Sequence, residues 1–218
     1  MFAREVYLAS PAVVAASAVA GFITTPDEIP EEPMVFMPKV EIKNSGIKTE
    51  KKEVKERPKV IEGRVWYIKE DNIDTDMIYH NRYLAITDIN EMGQYAFDNL
   101  KGYESFAKEA QPGDIVLVQK NFGSGSSRQQ AVDCFIPLGV QAVIAESFGA
   151  IYERNAINAA FPIMSYESLA GLDLDHFDKI KVNFETGEMT NITKGKTIQG
   201  NPFSEVQMDI YLRGGIFN

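Results

Sequence analysis

The chain has 218 residues, of which 44% are hydrophobic and 11% aromatic, so it can build a real core and is not a disordered protein. Its length suits one domain with additional segments, or two small domains. The net charge of −9 argues against nucleic acid and anionic membrane surfaces as partners. One cysteine, Cys134, excludes a disulfide framework, and two histidines argue against a histidine-based metal site.

The first part of the chain, residues 1–25, predicts a short strand at 5–8 and then an apolar helix. Ser10 suits the N-cap, Pro11 the first helical position, and Gly21 the residue after the C-cap. The apolar stretch 11–22 ends in small residues, but no clean positive cluster precedes it. It is also shorter than the roughly 20 residues of a membrane span. We therefore expect neither a signal peptide nor a membrane anchor.

Residues 26–60 predict a linker. Prolines recur in this segment, and the stretch 48–59 consists almost entirely of Lys, Glu, Thr and Arg. Such a composition buries little apolar surface and is typical of an exposed tether. The alternating-sign charges leave a short solvated helix as the alternative.

A globular domain is predicted for residues 61–218, opening with a strand at 64–68. An Asp- and Asn-rich turn follows, in which Asp71, Asp74 and Asp76 lie close together. A calcium loop of the EF-hand type is excluded, because the central glycine and the distal glutamate are missing. For Asp71 and Asp74 we expect Asx-turns.

The middle of the domain alternates strands with helices, which predicts parallel strands joined by right-handed crossovers. After residue 170 the pattern changes to short strands with hairpin-like turns. The predicted elements are a helix at 88–110, a strand at 114–119, a helix at 127–138, a strand at 141–145, a helix at 150–160, a strand at 161–164, and strands at 179–184, 188–192, 196–198 and 206–212.

The loop 121–130, Asn-Phe-Gly-Ser-Gly-Ser-Ser-Arg-Gln-Gln, is the stretch richest in chemistry. It lacks the third glycine of a dinucleotide fingerprint, the Gly-Lys-Ser/Thr ending of a P-loop and the Gly-x-Ser-x-Gly register of a nucleophile elbow. Arg128 can hold a carboxylate, the following helix can offer N–H groups, and Ser126 or Ser127 can donate or take a proton. The pattern predicts an anion-binding or proton-transfer site, against the alternative of a plain glycine-rich connection.

The run 121–164, with its segments 145–148 and 154–158, resembles the small subunits of the 3-isopropylmalate dehydratase family. The stretch 72–84 resembles the family's Asp-x-Asn-Thr-Asp segment followed by Arg-Tyr-Leu, and the likeness covers residues 62–165 firmly. The resemblance implies an α/β fold, the β/β/α swivel domain that is similar to domain 4 of aconitase. Such a domain has a short central sheet flanked by helices and a C-terminal β region, and it closes over an iron–sulfur active site.

The resemblance also implies roles for the loop. Ser126 falls where the family keeps its catalytic base, an alkoxide that removes the proton beside a carboxylate. Ser127 and Arg128 fall where the substrate carboxylate is held, and Gly125 and Asn121 are counted with them as substrate-binding residues. A serine alkoxide requires cations and aligned N–H dipoles nearby, which Arg128 and a helix N-terminus would supply.

By resemblance, Asp76 matches an aspartate of the active-site network and is counted as catalytic. The sequence departs from the family in the loop, where Gln129 and Gln130 stand in place of the frequent Glu-His. This change removes a carboxylate and an imidazole, so proton relays behind the site are in doubt. Ser124 replaces a frequent Cys or Glu, which we expect to matter little.

A [4Fe–4S] cluster is the implied cofactor, and we expect this chain to bind neither it nor any other metal. Three thiolates are needed to hold the cluster, whereas the chain has one cysteine. The resemblance implies that a large subunit carries the cluster, where the iron accepts the leaving hydroxide as a Lewis acid. The expected partners are this large subunit and a small di- or tricarboxylate, with no nucleic acid and no membrane. We expect a cytoplasmic protein.

Substrate choice in the family is thought to follow the residues after the Tyr-Leu pair, here Ala85 and Ile86. Homoaconitase-type relatives resemble Tyr-Leu-Arg at this point, and Ala85 cannot meet a distal carboxylate as arginine does. Both residues suit an apolar group such as isopropyl. We expect a hydro-lyase that interconverts 2- and 3-isopropylmalate. Dimethylmalate, homoaconitate and citrate or aconitate are alternative substrates, and a non-catalytic carboxylate-binding or assembly module is the alternative of another class.

The N-terminal arm, residues 1–25, resembles the last helix of the family's large subunit. In single-chain relatives this helix precedes a linker and then the swivel domain, which is the order found here. We expect that the break between the two polypeptides falls earlier than usual, and that the arm completes the partner's core and tethers the swivel domain to it. An arm that packs on its own domain is the alternative.

Overall fold

The structure, a computed structural model, describes residues 7–31 and 57–217. The chain divides into two compact units, Met1–Glu50 and Lys51–Asn218. Most of the predicted linker lies outside the described residues. Its first part contains a 3₁₀ turn at Pro26–Glu28. Its end belongs to the second unit, in which Arg57 donates to the carbonyl of Ala160 at 2.6 Å.

The first unit contains helix α1 (Pro11–Ala20). The strand predicted at 5–8 lies partly outside the described residues, and residues 7 and 8 are not in a strand. The Ser10 hydroxyl accepts a bond from a backbone N–H of the first turn at 3.4 Å, and Pro11 occupies the first helical position. Gly21, with φ +80°, ends the helix and donates its N–H to the carbonyl of Ser17 at 2.9 Å. The predicted caps of this helix are confirmed, because each residue type satisfies a backbone group that the helix end leaves open.

Large apolar side chains of the arm are exposed. Leu8 is fully exposed, and Val14, Val19, Phe22 and Ile23 are about half exposed or more. A ten-residue helix gains little stability by itself, so most helices of this length depend on packing of an apolar face. In the described part of the chain, no helix is both long and apolar enough to cross a membrane.

The second unit is built on a sheet of seven strands in the order β4-β3-β2-β1-β5-β6-β7. Strands β1 to β4 pair in parallel, whereas β5, β6 and β7 continue the sheet from β1 as an antiparallel meander. This is the predicted α/β fold with its C-terminal β region. The strands are β1 (Val60–Tyr67), β2 (Ile115–Val118), β3 (Ala142–Ala145), β4 (Ile163–Ser165), β5 (Lys179–Asn183), β6 (Glu188–Asn191) and β7 (Lys196–Gln199).

Helices cover the sheet and connect its parallel strands. They are α2 (Thr75–Ile78), α3 (Ile89–Met92), α4 (Phe106–Glu109), α5 (Gln130–Asp133), α6 (Ala150–Asn158) and α7 (Glu205–Arg213), with 3₁₀ turns at Asn81–Tyr83 and Gly93–Tyr95.

Two hydrophobic clusters lie on opposite faces of the sheet. Alternate residues of a strand point to opposite faces, so Val116 and Val143 belong to the larger cluster and Ile115 and Ile144 to the other. Every residue of β2 and β3 is buried. Burial on both faces explains why these two strands appear in the sequence as continuous apolar runs.

A buried ion pair joins β1 to the amino end of β2. Asp114, 2% exposed, accepts bonds from Nε and Nη2 of Arg64 at 3.0 and 2.7 Å, and from the Trp66 indole at 2.8 Å. The hydrogen bond to Asp114 raises the pKa of the Arg64 guanidinium, against the opposing effect of burial. The bidentate geometry satisfies both charges, so the pair is compatible with its burial.

The predicted helix at 88–110 is wrong in its extent. The structure has a short α3, a 3₁₀ turn and a short α4 in this region. Phe97 has φ +60° and Gly102 has φ +87°, and a residue in the left-handed region cannot continue a right-handed helix. The helical spacing of apolar residues was real, but it belongs to successive turns that face the same core.

The predicted helix at 127–138 is also shorter, because α5 covers only Gln130–Asp133. After it the chain makes tight turns, such as the bond from the Phe135 N–H to the carbonyl of Val132 at 3.3 Å. Pro137 has no N–H to offer and disfavours a helical residue before it. The N-terminus expected at residue 127 is therefore not a helix terminus.

The predicted strand at 206–212 is a helix, α7. The Ser204 hydroxyl caps its first turn by accepting the N–H of Gln207 at 3.2 Å, and Gly214 with φ +85° ends it. The apolar residues of this stretch fit both a strand and a helix. The caps at the two ends, which are strong helix signals, decide between them.

Candidate active site

The loops that follow β1, β2 and β3 meet at one edge of the sheet, because the carboxyl ends of parallel strands lie together. The Asn72 N–H donates to the carbonyl of Lys120 at 2.8 Å, and the Phe122 N–H to the carbonyl of Ser147 at 3.0 Å. Lys120 also donates its N–H to Asp71 at 3.0 Å. Asp71 thus joins two loops and does not form the predicted Asx-turn.

The glycine loop has a backbone that few residue types can adopt. Asn121, Gly123 and Gly125 have φ of +58°, +75° and +101°. Gly123 also lies against the ring of Tyr152 in α6, where a Cβ would come within 2.3 Å of the ring carbon Cγ. Its N–H donates to the carbonyl of Ile73 at 2.7 Å. Glycine at position 123 is therefore required by both conformation and space.

The turn before α2 presents Asp76. Asp74 caps this helix by accepting the backbone N–H groups of Asp76 and Met77, both at 2.8 Å. The Asx-turn predicted for Asp74 is confirmed. The cap starts α2 directly beside the glycine loop, since the Thr75 N–H donates to the carbonyl of Ser124 at 2.9 Å.

The side chains of Arg128 and Asp76, two predicted site residues, are in direct contact. Nη1 of Arg128 donates to Oδ1 of Asp76 and to the carbonyl of Tyr79, the latter at 3.2 Å. The same Asp76 oxygen accepts the N–H of Asn81 at 2.9 Å. Within residues 7–31 and 57–217, Nε and Nη2 of Arg128 make no hydrogen bond. This second edge of the guanidinium can therefore take a carboxylate in a bidentate fork.

Asp76 is ionised at neutral pH. The hydrogen bond from Arg128 lowers the pKa of the Asp76 carboxyl, and the Asn81 N–H adds to this effect against the opposing effect of burial. A carboxylate with a lowered pKa accepts hydrogen bonds well but is a poor proton donor. The geometry thus favours a role in orienting Arg128.

The hydroxyls of Ser126 and Ser127 are on exposed residues of the loop. In the described part of the chain neither hydroxyl has a hydrogen-bond partner, so both can face a ligand. The field that stabilises an alkoxide at Ser126 cannot come from a long helix, since α5 has four residues. Arg128, two residues further on, is the remaining source of positive charge in the loop.

The other predicted loop residues differ in availability. Asn121 is engaged on both sides, because its N–H donates to the Ser147 hydroxyl and its side-chain amide to Asn72, both at 2.9 Å. Gly125 is exposed, and its φ of +101° brings the loop back toward α2. Asn121 therefore braces neighbouring loops, whereas Gly125 leaves the surface of the loop open.

The two predicted specificity residues differ in their exposure. Ala85 is exposed, whereas Ile86 is half buried and packs against the larger core cluster. The 3₁₀ turn that precedes them is attached to the site through the Asn81 N–H and Asp76. Ala85 is thus the more available of the two to contact a ligand.

The contributions of Tyr79 and Asn81 could not be inferred from the sequence, because they are made by a backbone carbonyl and a backbone N–H. Tyr152 carried a weak signal, since a large aromatic residue opposite a glycine loop suggests close packing. Its hydroxyl is buried and has no partner among the described residues. Burial holds the pKa of this phenol well above its usual range.

Gln129 is turned away from the loop. Its amide donates to Oδ1 of Asp133 at 2.8 Å, and burial raises the pKa of the Asp133 carboxyl. The fit of an iron–sulfur cluster to this chain is poor. Cys134 is fully buried and burial holds the pKa of its thiol well above the usual value, so its sulfur is not an available thiolate.

Comparisons with known proteins agree with this fold. A profile of the aconitase C-terminal domain family matches residues 38–167. The 3-isopropylmalate dehydratase small subunit of Clostridioides difficile is 41% identical over 148 residues, which cover 68% of this chain and 89% of that protein. The methanogen homoaconitase small subunit of Methanothermobacter thermautotrophicus is 37% identical over 159 residues, covering 73% and 89%. The crystal structure of 3-isopropylmalate dehydratase from Methanocaldococcus jannaschii matches with a TM-score of 0.67 and 32% identity, covering 72% of this chain and 91% of that one.

The sheet, the glycine loop and the profile match define an aconitase-type swivel domain, and the chain belongs to the aconitase C-terminal domain family. Within that family, the resemblance to small subunits of 3-isopropylmalate dehydratase is confirmed by relatives that align over most of their own length.

Proposed function

We propose that the chain is the small subunit of a hydro-lyase that interconverts 2- and 3-isopropylmalate by dehydration and rehydration. One observation carries the proposal. Arg128 is fixed through Nη1 by Asp76 and Tyr79. Among the described residues, neither its Nε and Nη2 nor the hydroxyl of Ser126 in the same loop has a hydrogen-bond partner. A carboxylate clamp next to a potential base suits removal of a proton beside a carboxylate.

Each loop residue then has a distinct part. Arg128 and Ser127 hold the substrate carboxylate, with the open backbone at Gly125 beside it. Ser126 removes the proton from the neighbouring carbon, and the charge of Arg128 stabilises its alkoxide. Asp76 orients Arg128 and is not itself protonated.

The rest of the site is proposed to come from a large subunit. A [4Fe–4S] cluster is expected there, because this chain has one cysteine, which is buried. The relatives named above are called small subunits, which supports such a partner. We propose a cytoplasmic hetero-oligomer that acts on a small di- or tricarboxylate without nucleic acid or membrane contacts.

Isopropylmalate is proposed as the substrate because of Ala85. This exposed residue offers a methyl group at the position where homoaconitase-type relatives resemble an arginine. A distal carboxylate would have no cation there, whereas an isopropyl group would be buried favourably. Homoaconitate is the strongest alternative, since one relative is a homoaconitase small subunit. Dimethylmalate and citrate or aconitate are further alternative substrates.

The arm is proposed to bind the large subunit. Residues 6–25 carry no charged side chain, and α1 exposes Val14 and Val19. The family profile begins only at residue 38, which supports an arm that is additional to the swivel domain. An uncharged helix with exposed valines suits a buried place in the core of another protein.

The test is a turnover assay of the complex that co-purifies with the full chain. We expect a partner with an iron–sulfur cluster, and a kcat/KM for 3-isopropylmalate at least about tenfold above that for homoaconitate or citrate. Ala85→Arg should reverse this preference, with Ala150→Arg, another exposed alanine, as the matched control. Faster turnover of homoaconitate or citrate by the wild-type complex would disprove the substrate assignment. Absence of a partner would disprove the subunit assignment.

A further inference from the structure

A turn outside the site, residues 95–99, holds the segment that carries Asp76. The Phe97 N–H donates to the carbonyl of Ile78 at 2.9 Å, at the end of α2. The side-chain amide of Asn99 donates to the carbonyl of Asp76 at 3.2 Å. We call residues 95–99 the supporting turn, because its contacts fix the backbone on which Asp76 meets Arg128.

The same turn holds the stretch that leads to Ala85. The Tyr83 hydroxyl donates to Oδ2 of Asp98 at 2.5 Å, and the ring of Tyr83 stacks on that of Tyr95 with 3.9 Å between centroids. Tyr79 adds a third contact, a hydrogen bond from its hydroxyl to the carbonyl of Tyr83 at 3.2 Å. Tyr83 is therefore held by its ring, its hydroxyl and its carbonyl.

Two unfavourable features are retained in the supporting turn. Phe97 is fully buried with φ +60°, a conformation that phenylalanine rarely adopts. Oδ1 of Asp98 is buried and has no hydrogen-bond partner among the described residues. Packing alone would favour an apolar residue at position 98. Strain and an unpaired carboxylate oxygen are more often kept where a precise position is needed.

We propose that Asp98 is a positioning residue that acts through Tyr83 to place the stretch 81–86 and thereby sets which substrate side chain the site accepts. The inference rests on the proposed function, and it assigns Asp98 a part in the selection of the substrate. Asp98 does not touch the substrate. Its effect passes through the Tyr83 hydroxyl to the backbone that presents Ala85.

The activity test uses Tyr83→Phe and Asp98→Ala in the assembled complex. For each variant, the ratio of kcat/KM for 3-isopropylmalate to that for homoaconitate should fall about tenfold or more, because the stretch is no longer held in place. In the double variant, this ratio should fall no further than in either single variant, since the two residues form one bond. Asp98→Asn keeps an acceptor for Tyr83 and should retain the wild-type ratio.

The matched control is Tyr211→Phe. Tyr211 is buried in α7, and its hydroxyl donates to the carbonyl of Pro58 at 2.8 Å, so the change removes a comparable bond elsewhere. This variant should lose a similar amount of thermal stability and keep the wild-type ratio. A wild-type ratio in Tyr83→Phe, or an equal fall in Tyr211→Phe, would overturn the inference.

A second measurement does not depend on turnover. In the isolated full chain, backbone amides of the stretch 81–86 should exchange with solvent about tenfold faster in Tyr83→Phe than in wild type, and unchanged in Tyr211→Phe. Unchanged exchange in Tyr83→Phe would refute the positioning role. If the wild-type complex turned over neither substrate, the proposed function would fail, and the exchange rates would still decide whether Asp98 positions the stretch.

Discussion

At the residue scale, the guanidinium of Arg128 links the fold to the proposed chemistry. One of its edges is bound internally by Asp76 and Tyr79, and the other makes no hydrogen bond within the described residues. An arginine with all its N–H groups solvated would lose more freedom on binding a carboxylate. Fixing one edge in advance reduces that loss, so we expect Asp76 to contribute to substrate binding through Arg128.

The Asp76–Arg128 pair predicts a particular pH dependence. The pKa of Asp76 is lowered in the folded chain, so the pair stabilises the fold above the ordinary pKa of aspartate, and this contribution is lost as the pH falls through the lower, folded value. We expect Asp76→Asn to lower Tm by about 2–4 °C from pH 7 down to about pH 5, and by progressively less below about pH 4. Thermal unfolding of both proteins across this range is the measurement. A difference in Tm that grew toward low pH would contradict the assigned pairing.

At the scale of elements, the glycine loop depends on α6. The ring of Tyr152 occupies the space that a side chain at Gly123 would need. Phe122 packs edge-on against the same ring, with 5.1 Å between centroids. The conformation of the loop therefore depends on packing against α6.

Gly123→Ala should destabilise the chain by about 3 kcal/mol, because it adds both a left-handed alanine and a collision with Tyr152. Gly102→Ala is the matched control, since Gly102 also has a positive φ but nothing lies within 4 Å of its added Cβ. Gly102→Ala should lower the free energy of unfolding by about 1 kcal/mol. Urea unfolding of both variants measures the difference. Equal losses would show that packing on Tyr152 is unimportant.

The elements that sequence reasoning predicted well are those with a strong local signal. The buried strands β2 and β3, helix α1 with its caps and the hairpin turn at Gly187 were all expected. The errors occurred where several short turns share one apolar face, as between α3 and α4. They also occurred where a short apolar stretch fits two periods, as in α7. Tertiary packing decided the first case, and the caps at Ser204 and Gly214 decided the second.

The site residues also divide into those that the sequence signals and those that it does not. Side chains of unusual type and spacing, such as Ser126 and Arg128, were visible in the sequence. Contacts made by backbone groups, such as the Tyr79 carbonyl and the Asn81 N–H, depend on how three loops meet and leave no residue signature. The supporting turn was missed for another reason, because its side-chain contacts join residues 15 and 23 positions apart in the chain.

At the scale of the whole molecule, this chain requires a partner for the proposed reaction. It offers a clamp and a candidate base, while its only cysteine is buried. The exposed apolar helix of the arm is the clearest sign of a partner outside the swivel domain. Affinity for the large subunit should therefore depend on a segment far in sequence from the loop.

Deletion of residues 1–25 should weaken assembly with the large subunit by at least about tenfold in Kd, because it removes the buried apolar contacts proposed for α1. Val14→Asp is a smaller change with the same expected direction. Replacing Thr49 by Asp, in the linker, is its control. Binding of the separately purified subunits, followed by calorimetry, measures the effect. An unchanged Kd would indicate that the arm does not bind the partner.

The most direct test of the central claim is the turnover of 3-isopropylmalate by the assembled complex with Ser126→Ala. If Ser126 is the base, kcat should fall about 10³-fold while KM stays within about threefold of wild type. Ser127→Ala, the neighbouring exposed hydroxyl, should mainly raise KM. A kcat within about twofold of wild type in Ser126→Ala would contradict the account, and would favour a chain that binds the carboxylate or assembles the complex without taking part in the chemistry.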